Sequence, residues 1–89
     1  MEEILFETER SQSRGEIADL LRTVADRLES GESLELSAGD ESVTVDVPDR
    51  PVFEVKVERE QEGTASELSV EFELEWDENG GEDGDLEIA

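Results

Sequence analysis

The chain has 89 residues, of which 28 are Asp or Glu and 7 are Lys or Arg, so its formal net charge is −21. It contains no Cys, no His and no Tyr. These absences exclude a disulfide framework, a Cys/His zinc site and nucleophilic catalysis by a Ser-His-Asp or Cys-His arrangement. A chain of this length forms one small domain, which we place at residues 1–76, and we expect no enzymatic activity and no cofactor.

The acidity indicates the environment in which the chain folds. A compact state with this charge repels itself, and molar salt shortens the Debye length to ~3 Å and screens that repulsion. The charge therefore favours a protein adapted to a salt-filled cytoplasm, with a DNA-mimicking surface as the alternative interpretation. The N-terminus is acidic and shows no signal peptide, and the longest apolar run is only three residues, Ile4–Phe6. We therefore expect a cytoplasmic protein that does not bind membranes.

The first two predicted elements are a strand and a helix. Alternating apolar residues predict a short strand at 3–9. Ser13 and Glu16 then fit the capping-box sequence S-x-x-E, which begins helices. Five apolar residues at helical spacing follow: Ile17, Leu20, Leu21, Val24 and Leu28. Because Gly31 suits the left-handed residue that ends many helices, the pattern predicts an amphipathic helix at 14–30.

The apolar period then changes from 3.6 to 2, which predicts β-strands. Four strands are expected, near 33–37, 42–47, 52–60 and 67–76. Short connections favour an antiparallel meander with one apolar and one acidic face. In the last hairpin we expect Val57 opposite Val70 and Lys56 opposite Glu71, across a loop of about six residues. The predicted fold is α+β, in the order β-α-β-β-β-β, with one helix packed on a mostly antiparallel sheet.

The width of that predicted sheet raises the question of what covers it. Five strands span about 24 Å, whereas a helix is ~10–12 Å across, so either the sheet curls or a second copy covers the rest. The apolar residues left over would include Trp76, Leu74 and Phe53, which are candidates for an interface. With a second copy as cover, Trp76 and Leu74 lie at a two-fold contact. Our first hypothesis is therefore a non-enzymatic interaction or structural module that forms a homodimer or binds another protein.

A second hypothesis depends on the arginines of the predicted helix, Arg14, Arg22 and Arg27. Residues 10–28 hold four arginines and three acids, a net charge of +1, so the other 70 residues carry −22. Arg14 and Arg27 flank the apolar stripe of the helix, and the simplest interpretation is that their guanidinium groups pair with acidic strand edges. The alternative is a regulatory protein whose helix binds an acidic partner or nucleic acid. Because no aromatic residues are interleaved with these arginines, we do not expect nucleic-acid binding.

Carboxylates recur on the outer face of the last two predicted strands. They are Glu54, Glu58, Glu71, Glu73 and Glu75. Two close carboxylates can act as acid and base in glycoside hydrolysis, but a flat, solvated strand face provides neither a cleft nor two different environments. The EF-hand calcium pattern is also missing from the sequence. We therefore expect no catalytic residue and no metal-binding residue, only a diffuse atmosphere of counterions.

The whole pattern resembles the amphi-Trp domain, a small family found largely in halophilic archaea. The resemblance is carried by the Ser13-Arg14-x-Glu16-Ile17-Ala18 start, Leu20-Leu21, Ala25, Leu28, Gly31 and the alternating strands that end at Trp76. It covers about residues 3–76 and leaves out 77–89, which we predict to be a disordered, acidic, Gly-rich tail. The family implies a haloarchaeal intracellular setting. Because it is a domain of unknown function, no catalytic or binding residue is carried over.

The charge predicts that folding depends on salt. Like charges that face each other in a sheet destabilise it, and molar salt screens them. Far-UV circular dichroism across a KCl series should show that the unfolding midpoint rises with salt. Equal stability at low and at molar KCl would contradict this prediction.

Overall fold

The computed structural model describes residues 1–79. Within them it has one helix and four strands: α1 (Arg14–Ser30), β1 (Leu34–Ala38), β2 (Glu41–Val45), β3 (Val52–Glu62) and β4 (Ala65–Glu75). The strands form two antiparallel hairpins, β1–β2 and β3–β4. The chain divides into two compact units, one ending at Asp49 and the other beginning at Arg50. The α+β class and the order of one helix followed by four antiparallel strands are confirmed.

Two details of the predicted architecture differ from the structure. The first strand is not formed, since residues 1–13 have no regular secondary structure. A segment with only Ile4 and Phe6 on its apolar side has little to gain from pairing. The single sheet is also replaced by two hairpins, because Pro48 and Pro51 interrupt the chain between β2 and β3 and proline cannot donate to a central ladder. The predicted tail lies mostly outside the described residues.

Helix α1 begins where the capping box places it. The amide of Glu16 donates to Ser13 Oγ at 3.1 Å, and the amide of Ser13 donates to Glu16 Oε1 at 3.0 Å. Two amides that would otherwise lack partners at the helix start are satisfied by this exchange. The predicted bounds of the helix, 14–30, agree with the structure.

The end of α1 is fixed by a Schellman motif. Gly31 adopts the left-handed conformation with φ 76°. Its amide donates to the Leu28 carbonyl at 3.3 Å, and the Glu32 amide donates to the Arg27 carbonyl at 3.0 Å. An apolar contact usually accompanies this motif. Here the side chains of Arg27 and Glu32 form an ion pair at 3.2 Å instead.

In the first unit, α1 contacts β1. Leu20 and Val24 of the helix and Leu34 and Leu36 of the strand line an apolar groove of about 120 Å³. Of these four side chains, Val24 and Leu34 are half-buried and the other two are exposed. The apolar stripe of the helix therefore packs against the apolar side of the first hairpin, as the two amphipathic patterns require.

The β3–β4 hairpin has the register that the sequence predicts. Val57 lies opposite Val70 and Lys56 lies opposite Glu71. The loop is shorter than expected, since both strands continue to a two-residue turn, Gly63-Thr64. Gly63 has φ 63°, and within residues 1–79 no residue other than glycine has a positive φ. A positive φ at the first central residue alone is typical of a type II′ turn, which matches the twist of paired strands.

The capping box generates a prediction about stability. Replacing Ser13 with Ala removes the acceptor for the Glu16 amide, so we expect the free energy of unfolding to fall by about 1 kcal/mol. Urea unfolding followed by circular dichroism in molar KCl measures this change. Ser11→Ala is the matched control, because Ser11 is exposed and lies outside the helix. Equal losses in both variants would contradict a capping role.

Candidate interaction surface

The β3–β4 hairpin separates two kinds of side chain onto its two faces. Side chains alternate along a strand, so paired residues of β3 and β4 share a face. The apolar face is built from four directly opposed pairs: Phe53–Leu74, Val55–Phe72, Val57–Val70 and Arg59–Leu68. The Gln61–Ser66 pair continues it toward the turn. This face carries no carboxylate, and Arg59 is its one charged residue.

Nothing in the described part of its own unit, residues 50–79, covers the apolar face. Phe53, Val55, Val57, Leu68, Val70 and Phe72 are each between 54% and 64% exposed. Leu74 is half-buried. The rings of Phe53 and Phe72 are stacked, with centroids 6.3 Å apart and an angle of 6° between their planes. Such an aromatic pair adds to the stability of a sheet face, here at the end of the hairpin away from the turn, which we call the open end.

The opposite, acidic face gathers glutamates from both strands. Its charged residues are Lys56 and eight glutamates: Glu54, Glu58, Glu60, Glu62, Glu67, Glu71, Glu73 and Glu75. One lysine against eight carboxylates leaves this face with a charge of −7. Two of the directly opposed pairs, Glu54–Glu73 and Glu60–Glu67, join like charges. Lys56 lies opposite Glu71, so it relieves the repulsion at the middle of the face.

The crowding of the acidic face affects the protonation of Glu73. A side-chain hydrogen bond with Glu54 is the largest cause that raises the pKa of Glu73, followed by repulsion from the Glu75 carboxylate. A hydrogen bond between two carboxyl groups requires a proton on one of them, so protonation is favoured where the two strands bring these groups together.

The residues singled out from the sequence fall in two places. Phe53 and Leu74 lie directly opposite each other on the apolar face. Trp76 follows β4 immediately and is half-buried. The structure thus brings Phe53 and Leu74 together and places Trp76 two residues beyond Leu74.

The arginines of α1 find partners close to them in the chain. Arg22 forms an ion pair with Asp19 at 2.7 Å, with both side chains more than 70% exposed. Arg27 pairs with Glu32 just beyond the helix, and Arg14 is exposed. The expectation that Arg14 and Arg27 meet acidic strand edges is wrong for Arg27, whose partner Glu32 precedes β1, because a neighbour on the same segment costs less chain entropy to reach.

Sequence reasoning missed Arg59 as a site residue. The inward positions of its predicted strand were assigned from Phe53, Val55 and Val57, and Arg59 occupies the next position in the same alternation. That alternation was the signal that could have placed it on the apolar face.

Two further observations bear on what the described residues can bind. Within residues 1–79, no group of three or more carboxylates is arranged to hold a metal ion. No helix in that part of the chain combines the length and the apolar character needed to cross a membrane.

These features define a small, acidic α+β protein whose last hairpin divides apolar from acidic side chains. The chain belongs to the Amphi-Trp domain family, whose family model matches residues 1–89. The match is wider than residues 3–76, over which the sequence motifs carry the resemblance. A search of the curated proteins found no match, and a search of the solved structures found none either.

The Glu54–Glu73 pair predicts how stability depends on pH at low salt. A raised pKa in the folded state adds stability below the unfolded pKa, and this stability is lost as pH rises through the folded pKa. We therefore expect the thermal midpoint to rise as pH is lowered from 7 toward the ordinary range of glutamate. Glu73→Gln should raise the midpoint at pH 7 and flatten this dependence.

Glu62→Gln is the control for that experiment. Glu62 lies opposite Ala65, so its replacement also removes one negative charge but does not remove a carboxylate that faces another. Thermal scans by circular dichroism between pH 5 and pH 7 compare the two variants with the unaltered chain. Identical behaviour of the two variants would show that only total charge matters.

Proposed function

We propose that this chain is a non-enzymatic interaction module that works at high salt and associates with a second copy of itself through the apolar face of the β3–β4 hairpin. The observation that carries the proposal is that six apolar side chains of this face are more than half exposed. They lie on a face without carboxylates in a chain with 28 acidic residues.

The hairpin needs a cover for this face. A two-stranded hairpin alone is marginally stable in water, and packing of an apolar face is what usually stabilises it. Exposed apolar patches rimmed by polar groups mark interaction sites in soluble proteins. The face on β3 and β4 is apolar, and polar groups, Arg59 and the Gln61–Ser66 pair, border it at the turn end.

Charge favours a second copy in a face-to-face arrangement. Two chains of charge −21 repel each other wherever carboxylates meet. The apolar face avoids such a meeting, because its one charge is the positive Arg59. Packing apolar face on apolar face leaves both acidic faces outward, where salt screens them. A two-fold axis, the commonest symmetry of homo-oligomers, relates the two identical patches.

The size of the face indicates a weak dimer. From strand rise and spacing, eleven residues in two strands cover about 37 Å by about 10 Å, or ~700 Å² of flat area for two copies. This area is below the ~1,200 Å² at which stable interfaces begin, so the proposed association is weak and transient. We therefore expect micromolar rather than nanomolar affinity. Screening by molar salt should strengthen it, which connects the association with the acidity of the chain.

The arginine-bearing helix is the weaker candidate for a binding surface. Arg22 and Arg27 already pair with Asp19 and Glu32. An acidic partner would have to displace these local carboxylates.

Substitution within the apolar face tests the proposal. The double variant Val57→Thr and Val70→Thr keeps β-branched side chains, so strand propensity is retained, but it removes two methyl groups per copy from the centre of the face. At ~0.8 kcal/mol per buried methyl-sized group, we expect the dissociation constant of the dimer to rise at least tenfold. Sedimentation equilibrium in molar KCl measures it.

Val52→Thr is the matched control. Val52 is 61% exposed and belongs to β3, but it lies on the same side as Lys56, behind the apolar face. This variant should dissociate like the unaltered chain. A monomer at millimolar concentration in molar KCl, or equal weakening in both variants, would overturn the proposal.

A further inference from the structure

We propose that the two copies pack antiparallel, so that Arg59 of each copy lies on the aromatic end of its partner's apolar face. This inference rests on the self-association proposed above and specifies its geometry. It follows from the order of side chains along the face, which is not uniform from the open end of the hairpin to its turn.

The apolar face changes in bulk and charge along its length. The open end carries the stacked rings of Phe53 and Phe72. The middle is the small Val57–Val70 pair, and the turn end carries the cation of Arg59 followed by the polar Gln61–Ser66 pair. The face is therefore bulky and aromatic at one end, and polar with one positive charge at the other.

A parallel arrangement conflicts with this gradient. It would place the Arg59–Leu68 pair on the same pair of the partner subunit, so that both cations lie at one level, and the bulky Phe53–Leu74 pair on its own copy. Like charges brought together across an apolar contact repel, and two bulky ends hold the small valines of the middle apart. The two hairpins would then be in contact only at their open ends, with a gap between the small valines at their centres.

An antiparallel arrangement removes both conflicts. A two-fold axis between the Val55–Phe72 and Val57–Val70 pairs brings these two pairs of opposite copies together. It also brings the Arg59–Leu68 pair of each copy onto the Phe53–Leu74 pair of the other. A guanidinium over an aromatic ring is an attractive contact, and each dimer would hold two.

The same axis gives Trp76 a polar neighbour. Trp76 comes two residues after Leu74, so it extends the chain one step beyond the Phe53–Leu74 pair. In the antiparallel dimer that step meets the Gln61–Ser66 pair of the partner. A half-buried indole N–H needs an acceptor, and the Gln61 amide oxygen or the Ser66 hydroxyl supplies one.

Pairing of two copies through strand edges is the competing geometry, and charge disfavours it. The β4 edge belongs to a strand with four glutamates and no basic residue: Glu67, Glu71, Glu73 and Glu75. Two β4 strands paired edge to edge would place these carboxylates side by side across the new ladder. Face-to-face packing keeps them apart.

Distances between spin labels test the geometry. The chain has no cysteine, so Gln61→Cys gives one labelling site at the turn end of the face. Ten residues of strand separate this position from its own symmetry mate in the antiparallel dimer, so we expect a distance of about 35 Å. A parallel dimer would give about 10 Å, the spacing of packed sheets.

Glu60→Cys is the control label, since it lies at the same end of the hairpin but on the acidic face. It should give about 35 Å in the antiparallel dimer and about 20 Å in the parallel one, from the same strand and sheet spacings. Short distances from both labels would overturn the antiparallel geometry while the association itself stands. No intermolecular distance from either label at concentrations up to the millimolar range would overturn the association as well.

The role of Arg59 is tested by a matched pair of substitutions. Arg59→Gln removes one positive charge from the apolar face, and Lys56→Gln removes one from the acidic face three residues away. With two cation–π contacts per dimer, Arg59→Gln should raise the dissociation constant about tenfold. Arg59→Lys, which keeps the positive charge, should leave it close to that of the unaltered chain. Lys56→Gln should change it less than twofold. Equal effects of the two glutamine variants would overturn the contact.

Discussion

Strand alternation in the β3–β4 hairpin is the constraint on which the candidate surface depends. Each strand places apolar residues on one side and glutamates on the other, and the two patterns coincide in the observed register. A shift by one residue would move the glutamates of one strand onto the apolar face. The two-residue turn at Gly63 fixes the register from one end, and the opposition of Lys56 and Glu71 favours it from the middle.

The same alternation concentrates charge. Collecting eight glutamates on one face leaves the other face without a carboxylate. A second acidic chain could therefore approach the apolar face without meeting like charges. In the proposed dimer, screening by salt would both stabilise the hairpin and let two copies approach. The proposed association would therefore follow from the same alternation that makes the chain acidic on one face.

Local interactions explain which elements could be predicted. The bounds of α1 follow from contacts no more than five residues apart, namely the Ser13–Glu16 box and the Gly31 motif. The β3–β4 register follows from matching two alternating patterns across a tight turn. The expected strand at 3–9 failed because alternation alone does not provide a partner strand, and the single sheet failed because Pro48 and Pro51 stop the ladder between β2 and β3.

The sequence by itself determined the helix, the four later strands, the acidic face and the Lys56–Glu71 pair, because these depend on periodicity and on neighbours close in the chain. Only the tertiary structure decided that the strands form two hairpins, and that Arg22 and Arg27 pair with Asp19 and Glu32. Those outcomes depend on which strands pair through their backbones and on which carboxylate lies nearest to each guanidinium group. A pattern of residue types specifies neither.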